Sequence, residues 1–70
     1  MTGDLQRTLG ARVREHRQRL GLSQEQLAEE IGFHRTYLGS LERGERNLTL
    51  TSLEALADRL GVEPLELLRT

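Results

Sequence analysis

Between Ser23 and Gly44 the chain reads SQEQLAEEIGFHRTYLGSLERG, and the side chains there that can do chemistry are hydrogen-bond formers. Nothing in the run pairs a nucleophile with a base, clusters metal ligands or cradles a phosphate on a glycine loop, so its chemistry is recognition. With Leu38 and Leu41 taken as inward and a turn of about 100° per residue, Thr36, Ser40 and Arg43 point outward, with Gly39 nearby. Arg35 and Tyr37 occupy the shoulders. The exposed side is small and polar, with arginine at both ends. Hydroxyls and guanidinium forks so arranged match the donor and acceptor edges that base pairs present in the major groove of DNA. Arginine also keeps its charge and offers paired donors to phosphate or guanine.

A helix that presents such residues needs a scaffold, and the apolar spacing predicts one. Leu5, Leu9, Val13 and Leu20 mark one stripe of a first helix, with Asp4 as its N-cap and Gly21 as its stop. Ser23 to Gln26 forms a capping box that opens a second helix of about two turns, with Leu27, Ala28 and Ile31 inward. Gly32 turns the chain, and His34 stands at the N-cap of the third helix, which Gly44 ends. A fourth helix runs from about Leu50 to Leu60 on an inward face of Leu53, Leu56, Ala57 and Leu60. Its cap is Thr49 or Thr51, the latter with Glu54 as a second capping box, and Gly61 stops it. Pro64 suits the first turn of a short fifth helix carrying Leu65, Leu67 and Leu68.

Composition narrows the classes of function. Seventy residues make one small domain, and a chain this short buries only about 60% of the surface its unfolded form exposes, so a partner surface is expected. Cysteine is absent and there are two histidines, His16 and His34, which argues against a disulfide framework and a metal site. No apolar run approaches the roughly 20 residues that span a bilayer, and the N-terminus lacks a signal-peptide layout, so the expected location is the cytoplasm. Net charge is −1, which counts against nucleic acid until its distribution is considered. All ten basic residues are arginine, eight of them between Arg7 and Arg46. From Asn47 onward Arg59 and Arg69 face Glu54, Asp58, Glu63 and Glu66. One basic face and one acidic end are expected.

Counting from Gln24, a small residue stands four positions on, glycine eight on, and aliphatics fourteen and seventeen on: Ala28, Gly32, Leu38 and Leu41. This spacing resembles the Cro/C1-type (XRE-like) helix-turn-helix family of phage repressors and small bacterial regulators, and the resemblance runs from Leu5 to Leu68. It implies an all-α, five-helix, lambda-repressor-like DNA-binding domain over residues 1–70, with the helix-turn-helix formed by helices 2 and 3. The stretch HRTYLGSLERGERNLT is further similar to the controller proteins of restriction–modification systems, in Arg35-Thr36-Tyr37, Glu42-Arg43 and Arg46-Asn47. Those are small homodimeric activator-repressors.

Carried onto this chain, the resemblance implies that Arg35, Thr36 and Ser40 face the major-groove floor. Gln24 would brace a phosphate and the head of helix 3, with a backbone contact from Ser23. Tyr37, Arg43, Arg46 and Asn47 would lie along the phosphates and fix register. Arg17 and Glu42 would form a structural ion pair. Gly39 departs from a usual recognition helix at roughly 1 kcal/mol of propensity relative to Ala, and close approach to the groove is one reason for it.

One short helix covers few base pairs, so two modules about 34 Å apart on one DNA face are expected, joined through Val62, Pro64, Leu65 and Leu68. The partners are then double-stranded DNA and a second copy of the chain, with no cofactor, small-molecule ligand or membrane. The near-neutral charge keeps a second class open: an antitoxin or protein-interaction module built on the same scaffold. An enzyme is the remotest class, since so small a helical domain leaves little room for a pocket.

Overall fold

The computed structural model describes residues 4–69. Four α-helices, α1 (Asp4–Arg19), α2 (Gln24–Ile31), α3 (Arg35–Glu42) and α4 (Leu50–Leu60), are followed by a 3₁₀ helix, Pro64–Leu68. No strand occurs among the described residues. The chain is thus all-helical, but the expected fifth α-helix is a 3₁₀ turn. Five residues opened by a proline are too few for cooperative α-helix formation, and the N–H of Glu66 reaches the carbonyl of Glu63 at 2.9 Å instead.

Local chemistry explains where the helices begin and end. The Ser23 hydroxyl accepts from the Gln26 N–H at 3.0 Å, and the Gln26 side chain accepts from the Ser23 N–H at 2.8 Å, which closes the capping box. At the other end of α2, Gly32 adopts φ +76°, so that the Phe33 N–H turns back to the Ala28 carbonyl at 2.8 Å. Thr49, not Thr51, caps α4, accepting from the Ser52 N–H at 3.1 Å. His34 holds the N-cap position of α3, but its side chain makes no capping bond. Asp4 already lies within α1, and the residue before it is outside the described part of the chain.

Leu9 and Val13 of α1 meet Leu27 and Ala28 of α2, Leu38 and Leu41 of α3, Leu53, Leu56, Ala57 and Leu60 of α4, and Leu67 of the 3₁₀ turn in one core. Leu5 and Leu20, expected on the same stripe as Leu9, are both exposed. Arg17 takes the inward place one turn after Val13, for a reason that lies in α3.

Helix α1 crosses the end of α3 without an intervening layer of side chains. A Cβ on Gly10 would stand 2.4 Å from the Leu41 carbonyl oxygen and 2.7 Å from that of Glu42. Glycine there is a packing requirement. Gly39 is the opposite case, because its Cβ would meet Gln24 Oε1 at 3.5 Å and Arg43 Nη1 at 3.6 Å, ordinary contact distances. Gly10→Ala is therefore expected to lower stability by about 1–3 kcal/mol, and Gly39→Ala to raise it by up to about 1 kcal/mol. Urea unfolding of the two variants checks both signs, and shifts in the same direction would refute this account of the α1–α3 crossing.

Candidate nucleic-acid interface

The angle between α2 and α3 is held from beneath by an ion pair. Arg17 donates through Nε to Glu42 Oε2 at 2.7 Å and through Nη2 to Oε1 at 3.0 Å, while its Nη1 donates to the Leu22 carbonyl at 2.8 Å. The Gln24 amide adds a fourth bond, to Glu42 Oε1 at 2.9 Å. Side-chain exposures of 10% for Arg17 and 3% for Glu42 put the pair out of water. Its two parallel bonds fix direction as well as distance, and the extra donors satisfy the carboxylate. One cluster thereby ties α1, the loop before α2, the start of α2 and the end of α3. Gln24 braces the far half of α3, beside Gly39 and Glu42, not its head.

Above this cluster, Gln24, Arg35, Thr36, Gly39 and Arg43 line a shallow cleft. Arg35 and Thr36 are exposed at the head of α3, and Arg35 has no carboxylate partner among the described residues. Ser40 differs from expectation. It is 5% exposed, its hydroxyl donates to the Thr36 carbonyl at 3.1 Å, and Arg43 folds back over it with Nη2 at 3.3 Å from Oγ. Helical geometry aims Ser40 outward, but its own back-bond and the long side chain one turn later cover it. Ser40 is thus no free reader of bases in this state.

The residues expected along the phosphates divide in the same way. Arg43 is exposed and pairs with Glu45 at 3.2 Å, a weak surface contact that a phosphate can displace. Arg46 is exposed and has no carboxylate partner among the described residues. Ser23, expected to contact the DNA backbone, has its N–H held by the Gln26 side chain. Tyr37 is half-buried, and its hydroxyl donates to the Asn47 carbonyl at 2.7 Å. Asn47 also accepts from Gln6 of α1.

A family model described as "Helix-turn-helix" matches residues 13–67. The chain belongs to the Cro/C1-type helix-turn-helix family of DNA-binding regulators. This helix-turn-helix protein is similar to Control protein C.SmaI of Serratia marcescens, at 51% identity over 65 residues that cover 93% of this chain and 77% of that one. Among solved structures, the restriction-modification controller protein C.AhdI from Aeromonas hydrophila superposes with a TM-score of 0.82 at 48% identity, covering 87% of this chain and 92% of that one. The master regulator for biofilm formation SinR, solved in complex with DNA, superposes with a TM-score of 0.82 at 34% identity, covering 87% of this chain and 98% of that one.

The expected pairing residues of this helix-turn-helix protein are only partly available. Leu65 is exposed, whereas Val62 and Leu68 lean on the core and Pro64 is half-buried. Sequence reasoning missed Leu50, the most exposed of the large apolar residues, at 78%. Leu50, Leu5 and Leu68 line one groove with Leu9, Leu48 and Leu53. It also missed Gly10, although a glycine inside a helical pattern commonly has a packing reason. No helix of the described residues is long and apolar enough to cross a membrane, and no group of His, Asp and Glu among them could hold a metal ion.

Removing one member of the buried pair leaves the other charge without a counterpart. Glu42→Ala is expected to cost about 3–5 kcal/mol, whereas the apolar double replacement Arg17→Met with Glu42→Leu should recover most of that loss. Denaturant midpoints of the single and double variants measure it, and equal damage in both would disprove the assignment.

Proposed function

We propose that this protein is a transcriptional regulator that binds a pseudo-palindromic DNA operator as a homodimer and serves as the controller of a restriction–modification system. The observation that carries the reading is the exposed head of α3, where Arg35 and Thr36 stand free above a buried cluster that sets their direction. Arg35 is suited to guanine O6 and N7, and Thr36 to a thymine methyl. Gln24, Arg43 and Arg46 flank them as phosphate contacts. The controller assignment is supported by likeness to C.AhdI, described as a restriction-modification controller protein, and to C.SmaI, described as a control protein.

Pairing is supported by apolar surface. Leu5, Leu50 and Leu65 are 64%, 78% and 65% exposed, and the groove that Leu5 and Leu50 share continues to Leu68. A second copy laid on this face buries residues whose exposure otherwise opposes solubility. The domain measures 31 × 23 × 21 Å, so two copies side by side are of the size needed to span roughly one DNA turn, about 34 Å. Pairing thus runs through Leu50, Leu5, Leu65 and Leu68, with Val62 and Pro64 in support.

Selection from a randomised DNA library tests the function directly. Arg35→Ala is expected to lose about tenfold or more on the selected site with little change on random DNA, whereas Arg46→Ala weakens both and lowers the salt slope by about one. Leu50→Asp is expected to sediment as a monomer. Unchanged selectivity in a folded Arg35→Ala variant would falsify the reading. The rival class, a module that masks a protein partner, predicts that no DNA site is selected at all.

A further inference from the structure

Past Glu45, whose N–H reaches the Ser40 carbonyl at 3.0 Å, the connection from α3 to α4 loses its backbone ties. No amide of Arg46, Asn47 or Leu48 donates to a backbone carbonyl of the described residues. Asn47 is where the segment is gripped. Its main-chain carbonyl accepts from the Tyr37 hydroxyl at 2.7 Å, and its side-chain oxygen accepts from the Gln6 amide. Tyr37 is itself steadied by Phe33, ring edge to face at 5.3 Å between centroids and 83° between planes. Helices α3 and α1 therefore hold the loop by hydrogen bonds at Asn47, next to Leu48, which packs on the core, and the residue just before Asn47 is the exposed, unpaired Arg46.

The chemistry of the hydroxyl decides what Tyr37 does. A phenol carries one proton, and here it is given to a carbonyl. What it then shows the solvent is acceptor lone pairs, whereas a phosphate oxygen needs a donor. Gln6 lies on α1, forty-one residues from Asn47 in sequence and outside the face carrying Arg35 and Thr36.

We propose that Gln6, Tyr37 and Asn47 form a latch that fixes the 45–48 loop and presents Arg46, so that Tyr37 and Gln6 are positioning residues for DNA binding and act through that guanidinium. This rests on the DNA-binding function proposed above. A latched loop arrives at the duplex already ordered, and the loss of freedom on binding is correspondingly smaller.

Tyr37→Phe removes only the hydroxyl, and Gln6→Ala removes only the second grip. Each is expected to weaken operator binding about threefold to tenfold, the range of one neutral hydrogen bond. In an Arg46→Ala background the same changes should weaken it by less than about twofold, because the group they position is gone. In the free protein, backbone ¹⁵N order parameters at Arg46, Asn47 and Leu48 should fall in both variants while the melting temperature stays close to that of the wild type. Losses equally large with and without Arg46 overturn the proposal and make Tyr37 a direct DNA contact. Wild-type order parameters in both variants overturn it as well. Should the wild-type protein select no DNA, the regulator reading falls instead, and the latch is judged on the order parameters alone.

Discussion

The buried pair between Arg17 and Glu42 is the constraint on which the remaining geometry hangs. A charge on the inner face of α1 would be intolerable in so small a core unless its partner were held at a fixed place and direction. That place is the last turn of α3, and the bidentate bond fixes the orientation of that turn. The bond from Gln24 then draws the start of α2 to the same carboxylate. Removing two charges from water rarely adds stability over a well-packed apolar pair. Its return is specificity of arrangement: a leucine pair would allow α3 to slide or roll, and this network does not.

Electrostatics on the outer side follow a different rule. A net charge of −1 is a poor guide to this surface, because many of the charges are taken up in pairs within the chain. Several arginines are engaged within the chain, as Arg12 and Arg19 are with Glu15, Arg59 with Glu30, and Arg43 with Glu45. Arg35 and Arg46, which stand at the two ends of α3 and its following loop, lack such partners among the described residues. Arg14 and Arg69 are likewise exposed and without a carboxylate partner among the described residues, so free positive charge extends beyond α3 and its following loop.

The legible features of the chain are those decided within a few residues. The capping box at Ser23, the left-handed turn at Gly32, the inward leucines of α3 and α4 and the glycine stops all follow from nearest-neighbour chemistry. Arg35 and Thr36 stand where helical periodicity puts them. Ser40 does not, because its exposure depends on how the Arg43 side chain folds, a choice that periodicity does not encode. The length of a pattern also misleads: three leucines after Pro64 suggest an α-helix, but five residues supply too few bonds for one. Contacts between distant residues, such as Gln6 with Asn47 or Gly10 with the carbonyls of Leu41 and Glu42, leave no trace in local composition.

The backbone-to-backbone crossing at Gly10 bears on how such a protein can diversify. Elsewhere in the core a lost methyl group can be absorbed when a neighbouring leucine changes rotamer. At Gly10 itself the backbone of α1 lies against the Leu41 and Glu42 carbonyls, so at that point there is no side chain to repack. On the function proposed above, new target preferences come from exchanging the exposed letters at positions 35 and 36, while the pitch at which they are offered to the groove is inherited unchanged. The frame is rigid so that the alphabet can vary.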